Sequence, residues 1–115
     1  MEVQIFGVKN DANTRKALRF FKERRVKVHF VDLKQRAPSE GELNRFFQRF
    51  GEEHLIDRNA KRFSALGLQA AYYGDDRWLA IACDEPLILR MPLVRSGNKL
   101  TVGHDEVSWK NWLAG

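Results

Sequence analysis

Two short alternating segments at the start of the chain restrict its fold more than any other feature. Val3 and Ile5 alternate with Glu2 and Gln4 and lead through Phe6 into Gly7, and Val26, Val28 and Phe30 alternate again. A period of two is the pattern of a strand with one face buried. Between them Asp11-Ala12-Asn13-Thr14 offers helix caps ahead of Ala17, Leu18 and Phe21 at helical spacing. Strand, helix and strand in close succession predict a βαβ unit with parallel strands and a right-handed crossover. The chain has 115 residues, enough for a single domain over 1–115 with its own core and too few for two.

The middle of the chain reads as helical. Ser39 and Glu42 form a capping-box pair after Pro38, and Leu43, Phe46, Phe47 and Phe50 follow at i, i+3, i+4, i+7 up to Gly51. An aromatic stripe at that spacing predicts core packing, not a stacking platform for bases. A shorter helix carries Ala60, Phe63 and Leu66 and ends at Gly67. Another begins near Asp75 or Asp76, buries Trp78, Leu79 and Ala82, and stops before Pro86. This helical insertion is placed at approximately 39–85. Leu93-Val94-Arg95 and Lys99-Leu100-Thr101-Val102 then flank Ser96-Gly97-Asn98 as a β-hairpin, and Asp105 caps a last helix holding Val107, Trp109, Trp112 and Leu113. The order describes one α/β sheet with helices inserted between its parallel and antiparallel halves.

Two segments give this layout a family likeness. Phe6-Gly7-Val8-Lys9-Asn10-Asp11-Ala12-Asn13-Thr14-Arg15-Lys16-Ala17 resembles the opening of the arsenate-reductase-like family, the ArsC, Spx and YffB proteins. There an aromatic, Gly, an aliphatic and Lys-Asn precede the active cysteine and a basic helix. Glu85-Pro86-Leu87-Ile88-Leu89-Arg90-Met91-Pro92-Leu93-Val94 is similar to the family's His/x-Pro-x-Leu-Ile-x-Arg-Pro-Ile/Leu segment. The resemblance covers essentially the whole chain and implies a thioredoxin-like fold. It also implies a cis-proline at Pro92, beside which a peptide such as glutathione or a protein strand can pair.

The departures bear on function. Where the family's nucleophilic cysteine falls, the resemblance places Asp11, and a carboxylate can neither attack as a thiolate does nor form half of a disulfide. The arginine before the proline is Met91 here, with Arg90 one residue early as in Spx-like members. A third oxyanion-binding arginine corresponds to Val102, and the central one aligns with Asp57, Arg58 or Asn59, a choice left open. Asp11 also has a plain reading as an N-cap of the first helix. Cys83, the only cysteine, falls at the end of a helix four residues after Leu79 and reads as a buried structural residue. It excludes an internal disulfide, a Cys-x-x-Cys pair and a Cys-rich zinc site together.

The net charge of +5 is concentrated early. From Arg15 to Lys27 there are seven basic residues against the single acid Glu23, whereas from Asp75 onward five basic residues meet six acidic ones. Arg15, Arg19 and Lys22 fall at i, i+4, i+7 and form one exposed helix stripe. The bland reading of such a run is a solvated face.

The other candidates are weak. His29, His54 and His104 have no metal spacing. Asp75-Asp76 reads as a cap, as an alternative to catalysis by acidic pairs such as Asp84-Glu85. Ser96 and Ser108 lack a nucleophile-elbow context, and the scattered glycines make no phosphate cradle. Every apolar run is broken by a charge short of the ~18 residues a membrane span needs. Val3-Gln4-Ile5-Phe6 is too short for a signal core, so the expected compartment is the cytoplasm.

The expectation is therefore a non-catalytic member of this family serving as a binding or regulatory module. Its degenerate active site comprises Lys9, Asn10, Asp11, Arg90 and Pro92, and its partner surface Arg15, Arg19 and Lys22. The implied partner is a protein, in the manner of Spx-type regulators that contact RNA polymerase, the transcription machinery. Direct nucleic-acid binding ranks lower, because the aromatics are spaced for a core and do not interleave with the basic residues. The alternative is an enzyme dependent on glutathione or a small anion that works through the proline edge and the Lys9–Asp11 region without a cysteine. No metal and no other cofactor is expected.

Overall fold

The computed structural model describes all 115 residues. Its elements in chain order are β1 (Glu2–Gly7), α1 (Ala12–Glu23), β2 (Lys27–Asp32), α2 (Glu40–Phe50), α3 (Glu52–Leu55), α4 (Lys61–Ala65), α5 (Asp75–Asp84), β3 (Leu93–Ser96), β4 (Lys99–Val102) and α6 (Glu106–Ala114). They divide into two compact units, Met1–Asp32 with Met91–Gly115, and Leu33–Arg90. The helical stretch expected at 39–85 lies inside the second unit, whose bounds are wider because the chain leading in and the 3-10 turn Pro86–Ile88 belong to it. No helix is long and apolar enough to cross a membrane.

The first unit is a mixed four-stranded sheet in the order β2-β1-β3-β4. β1 and β2 pair in parallel from Glu2↔Lys27 to Gly7↔Asp32, and β3 returns antiparallel to β1 with Phe6↔Leu93 and Gln4↔Arg95. Gly97, at φ 61, makes the two-residue turn into β4, since a tight hairpin turn needs the left-handed region that a glycine enters without penalty. On one side of the sheet Val3, Ile5 and Val94 meet Ala17, Phe20 and Phe21 of α1 and Trp109 of α6 in one buried cluster. The Phe20 and Phe21 rings each lie 5.4 Å from the Trp109 ring. The indole N–H of Trp109 donates to Thr101 Oγ1 at 2.8 Å, so its polar atom is satisfied inside the core. Only Trp109 of α6 is fully buried, and Val107 is 73% exposed.

The junction from α1 to β2 departs from the usual chemistry. Val26 N–H donates to Phe21 O and Arg25 N–H to Lys22 O, both at 3.0 Å, closing the helix with Arg25 at φ 57. That left-handed position is ordinarily a glycine or asparagine, because a Cβ there crowds the backbone.

In the second unit α2, α3 and α5 pack on one another and the 3-10 turn sits on α4 and α5. The capping box of α2 is formed in both directions, with Ser39 Oγ accepting from Glu42 N–H and Glu42 Oε1 accepting from Ser39 N–H. Leu43, Phe46 and Phe47 are buried as core, while Phe50 is half-buried at the helix end. Phe63 and Trp78 stack with ring centroids 6.1 Å apart, and Arg62 grips Glu85 through two bonds of 2.8 and 2.7 Å. Asp75 does not cap α5, which has Gly74 at its N-cap and no side-chain cap. Its Oδ1 accepts instead from Glu52 N–H at 3.1 Å, at the start of the short helix α3 that the sequence pattern does not announce. Cys83 is half-buried and not a fully buried core residue, because it sits one position away from the inward-facing Ala82.

Candidate functional site

At the end of β1 the chain turns through Val8–Asn10, with Asp11 N–H donating to Val8 O at 3.1 Å, and enters α1. Asp11 is the N-cap. Its Oδ2 accepts both from the Thr14 backbone N–H and from the Thr14 hydroxyl, each at 2.8 Å. A helix start leaves backbone N–H groups unpaired, and a carboxylate there satisfies one of them and meets the positive end of the helix dipole. Thr14 is wholly buried. It lies so close to Gly7 that a Cβ there would overlap Thr14 Oγ1 and stand 2.7 Å from its Cγ2. Gly7 therefore lets α1 begin hard against the end of β1, a role its sequence position suggested only as a turn.

The register then brings in Pro92. Leu93 pairs with Phe6, so the residue before Leu93 falls at the same sheet end as Gly7 and the turn into α1. The Met91–Pro92 peptide is cis, Pro92 is buried, and its carbonyl accepts from Gly103 N–H at 2.8 Å. Lys9 and Asn10 are exposed at that end and Asp11 is half-buried. Four of the five residues expected to form the site thus share one end of one sheet.

Arg90, the fifth, belongs to the second unit. Its Nε donates to His54 O at 2.8 Å and its backbone N–H to Leu55 O at 2.7 Å, which ties the guanidinium to the end of α3. Of the three positions left open for a central arginine, Asp57 and Asn59 close a local turn through a 3.0 Å bond. Arg58 pairs with Glu52 at 3.1 Å and lies 5.4 Å from the Trp78 ring centroid.

The stripe Arg15, Arg19 and Lys22 is exposed, but its members differ. Arg15 Nη1 donates to Lys9 O at 3.0 Å and so braces the turn before the helix. Arg19 stands 4.0 Å from Glu23 in an exposed pair, which holds little energy. Lys22 has no ion-pair partner. A groove of about 380 Å3 runs alongside, lined by Lys16, Arg19, Glu23, Arg24, His104 and Glu106 among others. A second, of about 520 Å3, lies over the strand ends at Glu2, Gln4, His29 and Arg95. There a hydrogen bond with His29 and the Lys27 ammonium hold the Glu2 carboxyl below the usual carboxylate range.

Cys83 is remote from this chemistry in kind. Burial, with Glu40 and Asp84 adding to it, pushes its thiol above the ordinary value, so it stays protonated and weakly nucleophilic at neutral pH. His29 and His104 face Glu2 and Glu106 respectively, and no three of the His, Cys, Asp and Glu side chains gather as metal ligands would.

Replacing Asp11 by Ala is expected to cost about 0.5–2 kcal/mol by removing the cap, read as a lowered denaturant midpoint with an unchanged m-value. Unchanged or raised stability would mean that the carboxylate is held there at a cost, for something other than capping.

The sequence pattern of the ArsC family matches residues 6–112. Over 117 aligned residues the chain is 23% identical to the uncharacterized Bacillus subtilis protein YusI, covering 97% of this chain and 99% of that one. Its structure is similar to that of a YffB protein, with a TM-score of 0.85 at 20% identity over 95% of this chain and 96% of the other. It is also similar to the arsenate reductase of Vibrio cholerae, with a TM-score of 0.80 at 18% identity over 96% and 97%. Both are thioredoxin-like α/β structures, and the four-stranded mixed sheet is the fold they share with this chain.

Proposed function

Because this chain belongs to the ArsC family, we propose that it is a member that binds a partner without thiol chemistry, Asp11 standing where reductase relatives carry their cysteine. The observation that carries this reading is the double acceptance of Thr14 by Asp11 Oδ2 at the start of α1. In a cysteine enzyme the helix N-terminus stabilises a thiolate and then an oxyanion. Here the same N–H groups meet a resident carboxylate, which repels a second anion and offers no sulfur to oxidise. The only thiol sits on α5 with a raised pKa. Met91 and Val102 in place of oxyanion-binding arginines agree with the loss.

The partner in this reading is a cytoplasmic protein, with transcription machinery as the family precedent. It meets the basic face of α1, where Arg19 and Lys22 project without strong intramolecular partners. A rival reading keeps a small peptide-like ligand such as glutathione, and the observation in its favour is the Met91–Pro92 backbone lying at the sheet end that carries Lys9, Asn10 and Asp11.

Charge reversal at Arg15, Arg19 and Lys22 separates the two. The partner recovered from native cells should bind the variant more slowly, with the loss in the on-rate and larger at low salt, because exposed charges steer encounter. Glutathione-analogue binding should be untouched. Normal partner kinetics in a folded variant, together with measurable glutathione binding by the wild type, would overturn the protein-partner reading.

A further inference from the structure

We propose that the outer edge of β2, with the cations at its entrance, is a docking edge for an extended acidic segment of a partner protein. Three observations converge on it. First, β2 ends the sheet order β2-β1-β3-β4 and is six residues long, against four for the opposite edge strand β4. An edge strand presents a row of backbone donors and acceptors that a further strand can pair with, and β2 holds no proline, the usual block to such pairing.

Second, the approach to that edge is the densest basic run of the chain, Lys22, Arg24, Arg25 and Lys27, interrupted only by Glu23 and Val26. All four cations are exposed. Arg24 is pinned by stacking on Phe20 and by a bond to Phe20 O, and Lys27 leans on Glu2. The side chains of Lys22 and Arg25 make no hydrogen bond or ion pair within the chain. A segment that aligns along β2 meets positive charge at its start, so carboxylates complement it and ammonium groups do not.

Third, Arg25 holds a left-handed backbone conformation, φ 57, in a helix-closing turn where glycine or asparagine is cheaper. A side chain kept at a position that disfavours it points to use of that side chain. Arg25 points away from the core, so packing does not account for it. This proposal shares Lys22 with the α1 stripe but does not require Arg15 or Arg19, and it names the shape of the partner segment as well as its charge.

The probe is a synthetic eight-residue peptide alternating Glu and Thr, soluble and prone to extend. It should bind with weakening at higher salt and slow the amide exchange of residues 27–32. The same peptide with Lys for Glu should not bind. A version with Pro at two Thr positions, which keeps the charge and loses backbone donors, should bind at least about fivefold more weakly. Arg25→Gly should keep or raise the thermal midpoint while weakening the peptide by about two- to fivefold, and Lys22→Ala combined with it by about three- to tenfold. Arg15→Glu with Arg19→Glu should leave peptide affinity within about twofold, so failure here is distinguishable from failure of the α1-stripe reading.

Several results would overturn the proposal: no binding, equal binding of the Pro peptide, no loss in Arg25→Gly, or exchange protection confined to other strands. Tighter binding of a single-stranded oligonucleotide of equal charge at this edge, or self-association through it without peptide, would do so as well.

Discussion

Arsenate incubated with the wild-type protein, and with either glutathione or thioredoxin as reductant, should be consumed no faster than in the enzyme-free control. Reduction by this family of folds needs a sulfur that attacks arsenic and is then released through a disulfide. Asp11 offers neither step, and its carboxylate is already spent on Thr14. The raised thiol pKa of Cys83 leaves only a small thiolate fraction at neutral pH. Turnover above the control that disappears in Cys83→Ser would overturn this and make Cys83 the nucleophile. The companion variant Asp11→Cys tests the site itself. A thiol at the N-terminus of a twelve-residue helix should titrate below the ordinary ~8.5 of a free cysteine, visible in the pH dependence of its alkylation. On the proposed reading reductase activity should still be absent, since that reading has Met91 and Val102 where reductases place charged oxyanion-binding arginines.

Gly7→Ala should be the most damaging single methyl group that can be added near the site. Its Cβ would overlap Thr14 Oγ1 and crowd Cγ2 at 2.7 Å. Thr14 is fully buried and bonded to Asp11, so it has no free rotamer to retreat into. Overpacking of this kind costs about 2–3 kcal/mol, or about 10 °C of melting temperature in a chain of this size. The double variant Gly7→Ala with Thr14→Ala should recover part of the loss, because the colliding atoms are gone, although the cap is weakened. Strict additivity of the two single changes would show that the close approach of α1 to β1 is not the cause.

Much of the architecture was legible in local chemistry. The alternation at Val3–Ile5 and Val28–Phe30, the capping box of Ser39 and Glu42, and the burial of Trp78, Leu79 and Ala82 are patterns that short stretches impose by themselves. Asp11 as a cap follows from one side chain three residues ahead of one N–H. The less legible features each depend on something distant in sequence. Asp75 caps no helix of its own, because Glu52 N–H, twenty-three residues away, claims its carboxylate. Arg90 reads as a site residue by its motif, and the sequence gives no sign that its Nε donates to His54 O, thirty-six residues away. Phe50 and Leu113 fit their helical stripes yet are not fully buried, since periodicity assigns a face and not how far the core extends along it.

The βαβ start, the helical middle, the closing hairpin and an acid at the start of the first helix can all be read along the chain. These follow from residue types and spacings of a few positions, where the physics is local. The folded chain was needed to show that Pro92 shares a sheet end with Asp11, through the pairing of Phe6 with Leu93. It alone revealed that Gly7 is required by Thr14 and that β2 ends the sheet with Arg25 in a left-handed turn beside it. Strand order and close approach depend on which distant segments meet, and burial of apolar surface, which drives that meeting, has no direction in the sequence until the strands are paired.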